Sequence, residues 1–282
     1  MSHLVSNIGS RSYSISFVIA VNDEKVYQEN VLISPVFRFG HHHEILVKRG
    51  YSSAGEAYND AISAASNDLV VFMHQDIYLP DGWDQKLQYE IESLERSGEK
   101  WGVLGCFGIS LEDVPVGHVY SNGLSRELGF PQPPVKVQSL DEIVLVLRKS
   151  SGLRFDPMLS NFHLYGTDIC LESKQMGYEN YAISNFCIHN SLPVYRLPRK
   201  FWQCAEYLRI KWRRELPITT CCITISTSRI IMSMKKTWSF ITSYLRPSGE
   251  LVYTRLSDPS ALLYADKRQI STDNVGNMEK NG

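Results

Sequence analysis

No Cys-x-x-Cys pair occurs in this sequence; its six cysteines, Cys106, Cys170, Cys187, Cys204, Cys221 and Cys222, are dispersed or adjacent. That spacing argues against a zinc ribbon or a redox dithiol, and the cysteines read as reduced thiols, mostly in the core. A basic excess is also missing: the formal charge is -1 and the pI near 6.7, so no nucleic-acid partner is expected. There is no Asn-x-Ser/Thr sequon and no internal repeat. Long apolar runs are absent too. The longest uncharged stretch near the C-terminus, Leu216 to Ser228, has 13 residues rich in Thr and Ser, against roughly 18 for a bilayer span. The polar start through Ser14 and the short apolar run Ile15 to Val21 do not form a secretory leader. The expectation is a cytoplasmic protein, at most peripheral at the inner face of a membrane.

What is present is ordinary globular material, 43% hydrophobic and 21% charged, enough for a large core. At 282 residues the chain can hold one large α/β domain or two small ones. Ser16 to Val21 and Glu44 to Lys48 read as buried strands. Ala54, Ala57, Tyr58, Ala61, Ile62 and Ala65 recur at helical spacing behind a Ser53–Glu56 capping-box pattern. A strand follows over Leu69 to Met73, and then a helix from about Asp84 to Ser97 that Gly98 stops. Strand, helix, strand, helix is the signature of a parallel sheet. Trp101 to Ile109 is expected as one strand, Pro115 to Pro134 as loop, Asp141 to Arg148 as a strand, Thr167 to Met176 as a short helix and Tyr181 to Ile188 as a strand. Residues 266–282 are polar and read as a disordered tail.

The most informative run is Leu69-Val70-Val71-Phe72-Met73-His74-Gln75-Asp76, a buried strand that stops on a carboxylate. In open α/β sheets, ligands lie beyond the carboxyl ends of strands, so Asp76 stands where a metal or phosphate would sit. Three consecutive histidines, His41, His42 and His43, cannot all face one ion from a regular strand and read as a solvated loop. The segment Arg196 to Arg214 holds seven Lys or Arg against one acid, Glu206, with Phe201, Leu208 and Trp212 on one helical face. Two readings stay open for it: a peripheral contact with an anionic membrane or lipid diphosphate through 196–214, or a helix packed on the domain with solvated charges.

In order and spacing, these residues resemble the family 2 glycosyltransferases of the GT-A fold, more closely the branch called glycosyltransferase-like family 2. The likeness covers roughly Ser16 to Ser191. It is carried by Phe17 to Glu24, Ser53 to Ile62 with Asn59, the triplet His74-Gln75-Asp76, Phe155-Asp156 through Tyr165-Gly166-Thr167-Asp168 to Gly177-Tyr178, and Ile188-His189-Asn190-Ser191. The resemblance implies an α/β fold of GT-A type, a Rossmann-like mixed, mostly parallel sheet flanked by helices. Residues 1–215 would form this domain, and 216–265 a C-terminal, helical extension.

It further implies an inverting transferase that moves a sugar from a nucleoside diphosphate donor to a hydroxyl of a glycan or lipid-linked acceptor. Asp76 and His189 would hold a divalent cation, Mn or Mg. Asp168 would be the general base, with a helix cap as its bland alternative. Asp23, Glu24, Asn59 and Gln75 would line the donor site. The family commonly has Asp-x-Asp where this chain has His74, and often Glu where it has Thr167. His74 is therefore either a ligand suited to Mn²⁺ or another transition metal or a satisfied strand-end histidine. These departures keep a second reading open, a non-catalytic GT-A-like module that binds a nucleotide or glycan.

Overall fold

The computed structural model describes residues 14–38, 42–244 and 254–264. The first strand, β1 (Ile15–Val21), is almost wholly buried because it is central, and α1 (Glu24–Asn30) follows it, capped by Asp23. Both strands beside β1 run parallel to it: β2 (Glu44–Arg49) on one side and β3 (Leu69–His74) on the other. Between them runs α2 (Ala54–Ala64), whose buried face of Ala54, Ala57, Tyr58, Ala61 and Ile62 is the predicted stripe. The capping box is made in one direction only: Ser53 accepts from the Glu56 amide, while the Glu56 carboxylate accepts from Ser52.

After β3 come β4 (Ile77–Tyr78) and α3 (Trp83–Arg96), which buries Leu87, Ile91 and Leu94 as expected. The Trp101 to Ile109 run is two strands, a correction to the single one expected. β5 (Trp101–Gly105) and β6 (Phe107–Ser110) meet different partners, so the chain breaks its pairing at Cys106. The expected 115–134 loop is largely a hairpin of β7 (Pro115–Ser121) and β8 (Arg126–Gly129). Its glycines disguise it, yet they are what lets it close: a Cβ on Gly129, at φ +71°, would lie 1.9 Å from the Gly117 carbonyl oxygen.

Next come β9 (Val135–Leu140) and β10 (Val144–Arg148), then α4 (Tyr165–Gln175). The expected 181–188 strand is again two, β11 (Glu179–Ala182) and β12 (Cys187–His189). The chain continues through α5 (Arg199–Lys211), a small hairpin of β13 (Ile218–Thr219) and β14 (Thr224–Ile225), α6 (Arg229–Tyr244) and α7 (Ala261–Tyr264).

The result is the expected mixed, helix-flanked α/β sheet, ordered β2-β1-β3-β10-β5-β11-β9-β6-β7-β12-β4 with β8 beside β7. One insertion shapes everything downstream. β10 runs antiparallel between β3 and β5, with Val144 opposite Met73, so it begins where β3 ends. The turn Asp141-Glu142-Ile143 is thereby delivered to the same sheet edge as His74, whose amide donates to the Ile143 carbonyl.

α5 turns Phe201, Trp202, Cys204, Ala205 and Leu208 into the core, with Trp212 just beyond it, so the aromatic face of 196–214 is not open to a membrane. The β13 hairpin is tied to β9 through Ser139 and Gln138, each bonded to Thr219. All six cysteines are free thiols, and Cys106, Cys170, Cys187 and Cys204 are buried. His41 and the tail 266–282 lie outside the described residues, while His42 is exposed and His43 Nε2 sits 3.2 Å from Asp84. No helix among the described residues is long and apolar enough to cross a membrane.

Candidate functional site

The carboxyl ends of three parallel strands open onto one cavity of about 600 Å³. β1 contributes Val21, followed by Asn22 and Glu24. Beyond β2 come Gly50 and Tyr51 after Lys48 and Arg49, and beyond β3 lie Gln75 and Asp76 after His74. Gln75 stitches two of these ends together: its side-chain oxygen accepts from the Asn22 and Asp23 amides, and its Nε2 donates to Asn22 Oδ1. Glu24 is ion-paired with Arg49, and the Asp60 carboxylate accepts from both Lys48 and Tyr51, so the basic rim is positioned from below.

His74, Asp76 and His189 bring their ligand atoms within 4.8 Å of one another. The sheet explains the meeting. β12 pairs antiparallel with β4, setting His189 opposite Ile77, and the Asn190 amide donates to the Asp76 carbonyl. His189 Nε2 lies 3.4 Å from Asp76 Oδ1, and His74 Nε2 is 3.1 Å from the Tyr165 hydroxyl. Burial works to raise the Asp76 carboxyl, but His189, His74 and Arg255 together hold it well below the usual carboxylate range. Burial works in the other direction on His189, and the adjoining Asp76 carboxylate outweighs it, raising the imidazole above its ordinary value. His74, by contrast, is pushed down by burial. An ionised carboxylate flanked by one neutral imidazole and one released on metal binding is a donor set that fits Mn²⁺ better than Mg²⁺.

His189 also lines a second cavity, of about 730 Å³, on the far side of this cluster. Its walls are chiefly apolar, from Phe107, Val119, Leu124, Leu128, Leu192 and Leu197, while Asp141, Glu142 and His163 supply polar groups. Burial, then the Asp141 charge, pushes the Glu142 carboxyl up to about 8, against the pull of the Gly166 and Leu164 amides at the start of α4.

A late segment closes the arrangement. Asn190 accepts from the Leu256 amide and donates to its carbonyl, and Asn122 donates to the Thr254 carbonyl. This clasp sets Arg255 4.0 Å from Asp76, with the buried guanidinium Nε making no protein hydrogen bond.

Of the residues expected from sequence, Glu24, Gln75 and Asp76 line the first cavity and His189 the second. Three expected residues reach neither. Asp23 caps α1 through the Lys25 and Val26 amides. Asn59 clamps the Phe155 backbone, donating to its carbonyl and accepting from its amide. Asp168 is 1% exposed, accepts from Trp212 Nε1 at 2.6 Å and from Lys211, and is held with Asp156 and Glu172 around that lysine. Burial raises its carboxyl and Lys211 only partly offsets this. Sequence reasoning missed Arg255, Glu142 and Tyr51. Only Glu142 left a trace, as an acid at the start of an apolar strand.

The chain matches the model of the glycosyltransferase-like family over residues 16–195, and it belongs to that family. A protein from Fuscovulum blasticum described as "ATP synthase subunits region ORF 6" is 28% identical over 157 residues, which span 52% of this chain and 61% of that protein. Among solved structures, the mannosyltransferase PcManGT from Pyrobaculum calidifontis in complex with GDP-Man and Mn²⁺ is 10% identical, with a TM-score of 0.45 over 95% of this chain and 81% of its own. S. aureus TarS 1-349 in complex with UDP-GlcNAc is 13% identical, with a TM-score of 0.41 over 70% and 66% of the two chains.

Proposed function

We propose that this protein is an inverting glycosyltransferase that moves a sugar from a nucleoside diphosphate donor to a hydroxyl acceptor. The observation that carries the reading is the His74–Asp76–His189 cluster, set where a basic-rimmed cavity at the ends of three parallel strands meets a mainly apolar one holding Glu142. The first cavity suits a nucleotide: Lys48 and Arg49 offer charge, and Tyr51 an aromatic face. A divalent cation held by Asp76, His189 and His74 would neutralise the charge that develops on the departing diphosphate. Arg255, 4.0 Å from Asp76, would add positive charge beside the same diphosphate.

During transfer the bond from the anomeric carbon to the diphosphate oxygen breaks, and a bond to the acceptor oxygen forms on the opposite face. The acceptor proton goes to Glu142 in its ionised form; burial holds this carboxyl at about 8, so that form is the minor one at neutral pH and grows as pH rises toward 8. Asp168, the base expected from the motif, serves in this reading as a positioning residue that fixes α4 against α5. Transfer should therefore be abolished in Glu142→Gln with donor binding intact. Loss of turnover in Asp168→Asn at an unchanged melting temperature would return the role to Asp168.

Thermal unfolding of the metal-stripped protein with UDP, GDP, CDP or dTDP, each with and without Mn²⁺ or Mg²⁺, tests the site itself. One diphosphate should raise the midpoint only together with metal, Mn²⁺ more than Mg²⁺, and Asp76→Ala should erase the shift. A shift without turnover on any acceptor would favour the non-catalytic module, and no shift with any pair would sink the donor site.

A further inference from the structure

Ile230, Met234, Trp238 and Ile241 on α6 are 74, 65, 67 and 43% exposed. At 3.6 residues per turn they form one stripe along the helix. Met232, on the opposite face, is buried in the core and anchors the helix, with Lys235 donating to the Thr224 carbonyl beside it. The orientation of the stripe is thus set by packing. A continuous apolar stripe of this size facing water marks an interaction surface.

The charges of α6 itself are of one sign: the helix contains no acid, Arg229 borders the stripe while pairing with Glu206 of α5, and Lys236 faces the cleft next to it. A cleft of about 460 Å³ beside it adds Arg196 and Arg199, the Arg196 guanidinium lying 4.3 Å over the Phe240 ring. Arg196 and Leu197 line this cleft and the apolar cavity next to His189 alike. The outward stripe, the basic cleft and the candidate acceptor cavity therefore adjoin one another.

We propose that α6 seats this protein on a membrane surface rich in anionic lipid. Ile230, Met234, Trp238 and Ile241 enter the boundary between headgroups and acyl chains, and the flanking Lys and Arg side chains meet the lipid phosphates. A Trp at this depth, with basic residues beside it and no acid on the helix, is the chemistry of an interfacial helix. On the transferase reading above, the acceptor is then an amphiphile, a lipid-linked hydroxyl presented from that surface into the apolar cavity.

Co-sedimentation of the full chain with vesicles of phosphatidylcholine alone, and of phosphatidylcholine mixed with phosphatidylglycerol, tests this. Binding should require the anionic lipid and weaken as salt rises. A Met234→Ser, Trp238→Ser double variant, altered only at exposed positions, should keep its melting temperature and lose about tenfold or more in vesicle partitioning. Failure of the unaltered protein to pellet with anionic vesicles, or equal binding by the variant, would overturn the proposal. So would a dimer in solution that the variant dissolves, because a second copy would then be the partner. Nucleotide-dependent melting of the same preparations reads the donor site separately, so a failed membrane seat and a failed transferase reading give different results.

Discussion

Lys211 illustrates how much can rest on one side chain. Its ammonium meets Asp156, Asp168 and Glu172, and Asp168 is too buried to find water if that partner is lost. Removing one member of a buried ion group leaves an uncompensated charge, so Lys211→Met should cost about 3–5 kcal/mol in urea unfolding. Glu142 makes the opposite case, a carboxyl that the fold keeps protonated. Its ordinary value of 4.5 applies to the unfolded chain and about 8 to the folded one, so the native state binds the proton more tightly. That contribution to stability is fully present below pH 4.5 and is lost as pH rises through about 8. Glu142→Gln should consequently melt higher than the unaltered protein at about pH 8 and lose that advantage near pH 4, measured by thermal melts across the range. At this scale the sequence showed where Asp76 and His189 stand, because each closes an apolar strand, and the structure sets them side by side. It did not show the partners of Asp23, Asn59 and Asp168, whose side chains bond local backbone or buried groups that no spacing rule can see.

Among elements, those whose apolar period belongs to one partner surface were readable. β1, β2, β3, α2 and α3 lie within a residue or two of their expected places. The failures share one cause: a continuous apolar run does not record a change of partner. Trp101 to Ile109 and Tyr181 to Ile188 each look like one strand, yet each passes from one set of neighbours to another. The reversed direction of β10 is equally silent in sequence, although it is what brings Glu142 to the edge where β3 ends. Asn59 joins α2 to the Phe155 segment with two backbone hydrogen bonds. Asn59→Ala should therefore lower stability by about 2 kcal/mol and leave nucleotide affinity unchanged, a pairing of unfolding and titration data that a donor-lining Asn59 would not produce.

For the whole molecule, the α/β class and the strand-helix alternation followed from periodicity, and the place of the candidate site was read from where ligands bind on such sheets. The contribution of the last described segment did not, because nothing about Thr254-Arg255-Leu256 marks it as a neighbour of Asp76. A chain stopped after residue 244 should retain the sheet and melt within a few degrees of the full protein, but show a smaller nucleotide-plus-metal shift by thermal unfolding. The Asn122–Thr254 bond spans 132 positions of sequence and the Asn190–Leu256 pair spans 66. Synthesis runs from the N-terminus at about 5–20 residues per second, so the sheet and its cavities can form seconds before Arg255 has left the ribosome. The clasp thus makes the guanidinium beside Asp76 a late arrival, and a nascent chain carries that positive charge at the strand ends only once the segment holding residue 255 has emerged.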